Sequence, residues 1–87
     1  MEKDDLKFKI KKIMSEVWEV SVDNIPEDAS FNDYLYWDSI GHVSLMVALQ
    51  EQFGIEIDYE VLIKFVSIAE IVNGIWGKRF GSNTIKL

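Results

Sequence analysis

Hydrophobic residues recur at helical spacing in three stretches of the chain. The first stretch, between Asp4 and Trp18, places apolar residues three or four positions apart at Leu6, Ile10, Ile13, Met14 and Val17. The second predicts a buried stripe made of Ile40, Val43, Met46, Leu49 and Phe53, with Leu45 at its flank. The third predicts a last helix that reaches about Arg79 and buries Ile68, Ile71, Val72 and Ile75. Such stripes are typical of helices with one face in a core.

Residues at the ends of these stretches are suited to begin or end helices. Asp38 or Ser39 can cap the second helix, and Gly54 can end it. Ser67 and Glu70 form the Ser-x-x-Glu pattern of a capping box, which predicts the start of the last helix. The helix signals therefore agree with the hydrophobic spacing.

The connection between the first two helices, residues 19–37, is long for so small a protein. It is rich in turn-forming residues, and loops of this length are either held by the core or functional. Four apolar residues in it are predicted to insert into the core: Val22, Ile25, Phe31 and Leu35. After the second helix, residues 54–57 look extended, and residues 58–64 predict a short helix.

The whole pattern predicts one all-α domain: a small four-helix bundle with three main helices, one short third helix and a long first loop. A chain of 87 residues is enough for a single core. We expect the helical core at about residues 4–79 and a tail at 80–87. No stretch is long enough for a transmembrane helix and no signal peptide is visible, so we expect a cytoplasmic protein. We also expect a monomer.

Charge is distributed unevenly along the chain. The net charge is −6, and eleven acids but no base lie between positions 13 and 63. This balance argues against nucleic acid and against an anionic membrane as partners. The acidic middle of the chain is either a solvated face or a surface that attracts basic proteins.

Residues suited to catalysis or metal binding are few. The chain has no cysteine and one histidine, His42, so the usual spacings of metal ligands are absent. His42 follows Ser39 by three positions, and a small hydrolase that uses this pair is formally possible. No oxyanion hole, glycine-rich loop or third group accompanies the pair, and a surface histidine is the better interpretation. We therefore predict no catalytic residue, no enzyme activity and no metal site.

Ser39 stands at the predicted mouth of the second helix, between Asp38 and Ile40. A helix N-terminus offers free backbone N–H groups and the positive end of the helix dipole, which suit a phosphodiester on the serine oxygen. The tripeptide alone is a weak signal. In isolation it favours a plain N-cap, as in a helical protein–protein interaction module in which Ser39 only begins the helix.

The context of this tripeptide resembles the acyl carrier proteins. Residues 31–57 show the spacing Phe-x-acid-x-Leu before Asp-Ser-Ile, then an apolar helix, and then Phe-Gly-Ile-Glu-Ile. The resemblance extends over about residues 4–79 and implies a four-helix bundle. It also implies that Ser39 receives 4′-phosphopantetheine from coenzyme A through a separate phosphopantetheinyl transferase. The thiol of this covalent cofactor would then carry acyl or aminoacyl groups as thioesters.

The resemblance further implies which residues meet partner enzymes. Asp38 and Ile40 match the residues that the transferase reads, and Glu51 keeps a charge on the helix that faces partners. Val47 matches an exposed apolar partner contact, although periodicity alone also allows a buried valine there. The implied partners are the transferase, a loading ligase or acyltransferase, and downstream biosynthetic enzymes.

Several positions depart from the fatty-acid carriers within this family. Gly41 stands where those carriers usually have Asp, and Tyr36 and Trp37 replace small residues before the motif. Uncharged residues occupy helix positions that are often acidic, namely Ser44, Gln50 and Gln52. These departures favour a dedicated carrier for a specialised acyl or aminoacyl pathway over a housekeeping fatty-acid carrier.

Overall fold

Four helices make up the protein in a computed structural model that describes residues 2–78, which confirms the predicted all-α architecture. They are α1 (Lys3–Trp18), α2 (Ser39–Phe53), α3 (Tyr59–Lys64) and α4 (Ile68–Trp76), with a short 3₁₀ turn at Val22–Asn24. Helix α1 packs against both α2 and α4. No described helix is long and apolar enough to cross a membrane. The predicted helix end at Arg79 and the tail at 80–87 lie outside the described residues.

Side-chain and backbone caps place the helix ends where the sequence predicts them. The Asp38 carboxylate accepts a hydrogen bond of 2.8 Å from the Gly41 N–H, which makes Asp38 the N-cap of α2. Gly54 ends α2 in the left-handed region, with φ 62°. The Ser67 hydroxyl accepts from the Glu70 N–H at 3.2 Å and so begins α4.

The predicted stripes of α1 and α4 form much of the core. All four predicted residues of α4 are buried, and so are four of the five on α1, while Val17 is half-buried. Trp18, which lies beside the α1 stripe, is buried as well. The buried hydrophobic residues are Leu6, Ile10, Ile13, Met14, Trp18, Ile25, Ala29, Trp37, Leu45, Met46, Leu49, Phe53, Phe65, Ile68, Ile71, Val72 and Ile75.

The buried face of α2 differs from the predicted one. Ile40 and Val43, predicted to be buried, are 80% and 54% exposed, whereas Gly41 and His42 are buried. The N-terminal half of α2 carries apolar residues around most of its circumference, so the spacing alone left the rotation of the helix open. Tertiary packing decides it, because Trp18 packs against the Gly41 side of α2.

The long first loop inserts fewer side chains into the core than predicted. Ile25 is buried, and Val22 and Phe31 are half-buried, but the prediction for Leu35 is wrong because its side chain is 78% exposed. Trp37, which is completely buried, takes the place expected of Leu35. The physical reason is that consecutive turns reverse the chain here: the Asn32 N–H donates to the Trp37 carbonyl at 2.8 Å, and Leu35 lies inside the reversed segment.

Ion pairs hold the acidic first loop against α1. Glu27 pairs with Lys7 at 2.8 Å through one oxygen and with the nearly buried Lys11 through the other. The hydrogen bonds from Lys11 and Lys7 lower the pKa of the Glu27 carboxyl to about 2. At least one acid of the middle of the chain, Glu27, therefore has a structural role, because it holds the first loop on α1.

Candidate functional site

Ser39 is the first residue of α2, and its side chain is exposed. The first N–H groups of a helix have no carbonyl partner inside it. The Asp38 carboxylate takes the N–H of Gly41, and those of Ser39 and Ile40 meet no acceptor within residues 2–78. Two free donors and the positive end of a 15-residue helix therefore lie beside the Ser39 hydroxyl.

The Ser39 hydroxyl is not used as a helix cap. Asp38 is the N-cap residue, so Ser39 occupies the first helical position. Within the described part of the chain, the Ser39 hydroxyl takes part in no hydrogen bond. Of the two residues predicted to cap α2, Asp38 is therefore the cap, and Ser39 has a free hydroxyl. This arrangement fits a phosphodiester at Ser39, because such a group displaces no existing contact.

Two tryptophans hold the first turn of α2 from the core side. The indole N–H of Trp18 donates to the Gly41 carbonyl at 3.1 Å. The rings of Trp18 and Trp37 pack with their centroids 5.5 Å apart. Because Trp37 immediately precedes the cap residue Asp38, its burial places the beginning of α2 at a defined point on the core surface.

The first turn of α2 has no space for a side chain at position 41, where the residue is glycine. A Cβ atom added at Gly41 would approach the backbone carbonyl oxygen of Tyr36 well under 3.0 Å, a distance that real Cβ atoms do not show. It would also lie 3.0 Å from the Trp18 indole nitrogen. The departure from the usual Asp of fatty-acid carriers therefore has a structural cause: the loop lies too close for any side chain.

His42 is buried, with 5% of its surface exposed, so its interpretation as a surface histidine is wrong. Its Nδ1 atom lies 2.9 Å from Nε1 of Trp37, and its Nε2 atom lies 2.8 Å from the Leu62 carbonyl oxygen. An indole N–H can only donate, so Nδ1 accepts, and Nε2 carries the proton that it donates to Leu62. Both ring nitrogens are engaged, and neither is free to serve as a base for Ser39.

Through its two hydrogen bonds, His42 connects α2 with Trp37 of the first loop and with Leu62 of α3. Its removal should therefore lower the free energy of unfolding. Leu62 belongs to the last turn of α3, where carbonyl groups lack partners inside the helix. We expect His42→Ala to lower the free energy of unfolding by about 3 kcal/mol, because a buried indole N–H and a carbonyl lose their partners at about 1–3 kcal/mol each. Urea unfolding measures the change.

Ser44→Ala provides the control for this prediction, because Ser44 is an exposed residue of the same helix. Its expected effect is below about 0.5 kcal/mol. Equal stabilities of the His42 and Ser44 variants would contradict the bridging role of His42.

The residues predicted to meet partners are all exposed. Asp38 and Ile40 flank Ser39, Val47 is 48% exposed, and Glu51 follows Val47 by one turn. The exposed interpretation of Val47 is therefore the one that agrees with the structure. Sequence reasoning missed the buried Trp37, for which one signal was available: a large aromatic side chain beside a helix cap usually finds a core.

Comparison with known proteins decides the family. The family described as "Phosphopantetheine attachment site" matches residues 9–75, which is most of the chain. The chain belongs to the acyl carrier protein family. It is 38% identical over 73 residues to the acyl carrier protein of Petrotoga mobilis (strain DSM 10674 / SJ95), across 84% of this chain and 86% of that protein. It is 39% identical over 70 residues to that of Buchnera aphidicola subsp. Schizaphis graminum (strain Sg), across 80% and 89%.

Membership in the family defines the general role of this acyl carrier protein. It is a carrier and not an enzyme, and its prosthetic group is 4′-phosphopantetheine. A carrier works through partner enzymes, such as transferases and biosynthetic enzymes. The resemblance seen in the sequence is thereby confirmed.

Proposed function

We propose that this carrier holds acyl or aminoacyl intermediates as thioesters on a 4′-phosphopantetheine arm attached to Ser39, and that it presents them to partner enzymes. The observation that supports Ser39 most strongly is its free hydroxyl at the first turn of α2, next to two unpaired N–H groups. The bound arm supplies a thiol, which this cysteine-free chain lacks.

The protein's own residues have separate tasks in this proposal. Ser39 provides the nucleophilic oxygen, and the backbone N–H groups of Ser39 and Ile40 favour the negative charge of the phosphodiester. His42 cannot take the Ser39 proton, because both of its ring nitrogens are engaged, and we assign this base to the transferase. Asp38 keeps the helix end in place by capping it.

Partner recognition is assigned to Asp38, Ile40, Val47 and Glu51. The partners proposed are a phosphopantetheinyl transferase, a loading ligase or acyltransferase, and downstream biosynthetic enzymes. The scarcity of acids on α2, where Glu51 is the single one, supports a dedicated, specialised pathway. A monomeric state and a cytoplasmic location stay predictions.

Mass spectrometry tests the proposed function directly. The purified chain is incubated with coenzyme A and a broad-specificity phosphopantetheinyl transferase, and we expect it to gain the mass of one phosphopantetheine. Omission of coenzyme A is the control. A folded chain that gains no mass would contradict the carrier function at Ser39 and favour the alternative, a helical interaction module.

A further inference from the structure

Two hydrogen bonds close the short segment of chain that carries Ser39. Trp37 precedes Ser39 and His42 follows it, and the Trp37 indole N–H donates to Nδ1 of His42 at 2.9 Å. The backbone N–H of His42 donates to the Asp38 carbonyl at 2.8 Å, which begins the helical bonding of α2. One side-chain bond and one backbone bond therefore join the two ends of this segment.

The His42 side chain is itself held by several contacts. Its ring packs against the rings of Phe31 and Trp37, with centroid distances of 5.2 and 6.2 Å. On the side of α3, its Nε2 atom donates to the Leu62 carbonyl at 2.8 Å. Two rings and two hydrogen bonds thus fix the imidazole, and the imidazole in turn fixes the Trp37 indole.

Trp37 passes this restraint on to Ser39. It is completely buried, and it stands directly before the cap residue Asp38 and two positions before Ser39. The Ser39 side chain is exposed, and its hydroxyl makes no hydrogen bond within residues 2–78, so its position depends on the backbone of its own turn. Because helix ends fray, contacts from outside the helix are what keep such a turn in one place.

A hydrogen-bonded pair in the core suits this restraint better than an apolar pair would. Replacing both partners of a buried hydrogen bond by apolar groups of the same shape can be nearly neutral for stability. A buried polar pair instead specifies one arrangement, because the donor must meet its acceptor. Relative to an apolar pair, the bond between Trp37 and His42 therefore contributes mainly to the geometry of the first turn of α2.

We infer that His42 is a positioning residue for the loading of Ser39: through its hydrogen bond to Trp37, it holds the first turn of α2 in the geometry in which the transferase can use the Ser39 hydroxyl. This inference rests on the proposed attachment at Ser39. His42 does not touch the reacting atoms, since its ring nitrogens face Trp37 and Leu62. A misplacement of about 1 Å in a reacting group can cost about a hundredfold in rate, so a small shift of this turn is measurable.

Two substitutions of His42 separate its two hydrogen bonds. His42→Asn has its amide at the place of Nδ1, so it can still accept from Trp37 but no longer reaches Leu62. His42→Gln has its amide at the place of Nε2, so it can still donate to Leu62 but leaves Trp37 without an acceptor. We expect the kcat for loading by the broad-specificity transferase to fall at least about tenfold with His42→Gln, and to stay within about threefold of the unchanged chain with His42→Asn.

The separation of kcat from KM shows whether the effect is one of position or of stability. The carrier is the substrate in this reaction, so a variant that is partly unfolded supplies less substrate and raises the apparent KM, while kcat at saturation is retained. A misplaced hydroxyl on a folded carrier lowers kcat instead. We therefore expect the KM of His42→Gln to stay within about threefold of that of the unchanged chain.

Trp37→Phe tests the same bond from its other partner, because it keeps an aromatic ring and removes the donor. Its kcat should fall as with His42→Gln, and the double variant should be no more than about twofold slower than the slower single variant, since both changes remove the same hydrogen bond. Gln50→Ala is the matched control: it removes a hydrogen bond of 2.8 Å from the Ile57 N–H, near the other end of α2 from Ser39. Its kcat should stay within about twofold of the unchanged chain.

Contrary results would overturn the inference. A normal kcat for folded His42→Gln or Trp37→Phe would show that the bond does not position Ser39, and an equal fall with His42→Asn would show that the bond to Trp37 is not the decisive one. If circular dichroism showed both His42→Gln and Trp37→Phe to be unfolded, His42 would serve the fold alone. An unchanged chain that is never loaded ends the proposed function as well, whereas normal kcat values for all variants of a chain that is loaded end the positioning inference alone.

Discussion

Ser39→Ala should gain no phosphopantetheine under conditions in which the unchanged chain is fully loaded. The reason is that the substitution removes the free hydroxyl placed beside the unpaired N–H groups of α2. The fold should be retained, because Asp38 provides the cap and the Ser39 hydroxyl holds no other described group. We expect a stability change below about 0.5 kcal/mol, less than the loss of a true cap would cause. Intact-protein mass spectrometry and circular dichroism measure the two effects.

Ser44→Ala is the matched control for this variant, since it removes an exposed hydroxyl from the same helix. It should be loaded at the normal rate. Mass gain by the Ser39→Ala chain would contradict the assignment, and peptide mapping of the product would then locate the residue that is modified instead.

Gly41→Ala should lower the free energy of unfolding by about 2 kcal/mol net. An extra methyl in a filled space usually costs about 1–3 kcal/mol, and the upper end applies because the group it meets is the Tyr36 backbone carbonyl. Helix propensity acts in the opposite direction and favours Ala over Gly by about 1 kcal/mol. The sign of the measured change therefore decides whether the Tyr36 loop really lies against α2.

Gly77→Ala provides the comparison for Gly41→Ala. Gly77 has helical angles, φ −63° and ψ −41°, and nothing within the described part of the chain lies within 4 Å of a Cβ added there. Its replacement should leave stability unchanged or raise it by up to about 1 kcal/mol. If urea unfolding showed the same small change for both glycines, the close approach at Gly41 would be refuted.

The close approach of the Tyr36 carbonyl to Gly41 should also prevent this carrier from accepting the residue that fatty-acid carriers usually have at this position. Gly41→Asp introduces the residue that is usual there in fatty-acid carriers, and it meets the same Tyr36 carbonyl as Ala does. Because Tyr36 and Gly41 lie on either side of Ser39 along the chain, a shift of this loop should also slow the gain of phosphopantetheine mass.

The sequence by itself determined the helices, the caps of α2 and α4, and the position of the Asp-Ser-Ile motif at the start of α2. Asp38, Gly54 and Ser67 act on groups within four residues of themselves, so their effects can be predicted from local chemistry. The stripes of α1 and α4 were equally clear, because polar residues on the opposite side of each helix leave one choice of buried face.

Only the tertiary structure decided which side of α2 is buried and which side chains of the first loop enter the core. The environments that the spacing predicts for Ile40 and His42 are wrong because α2 is apolar on several sides, and the neighbours that select one side come from distant parts of the chain. Trp18 is 23 positions from Gly41, and Leu62 is 20 positions from His42. Contacts at such separations leave no periodic signal along the sequence, and they determine which apolar side chains of α2 remain exposed around Ser39.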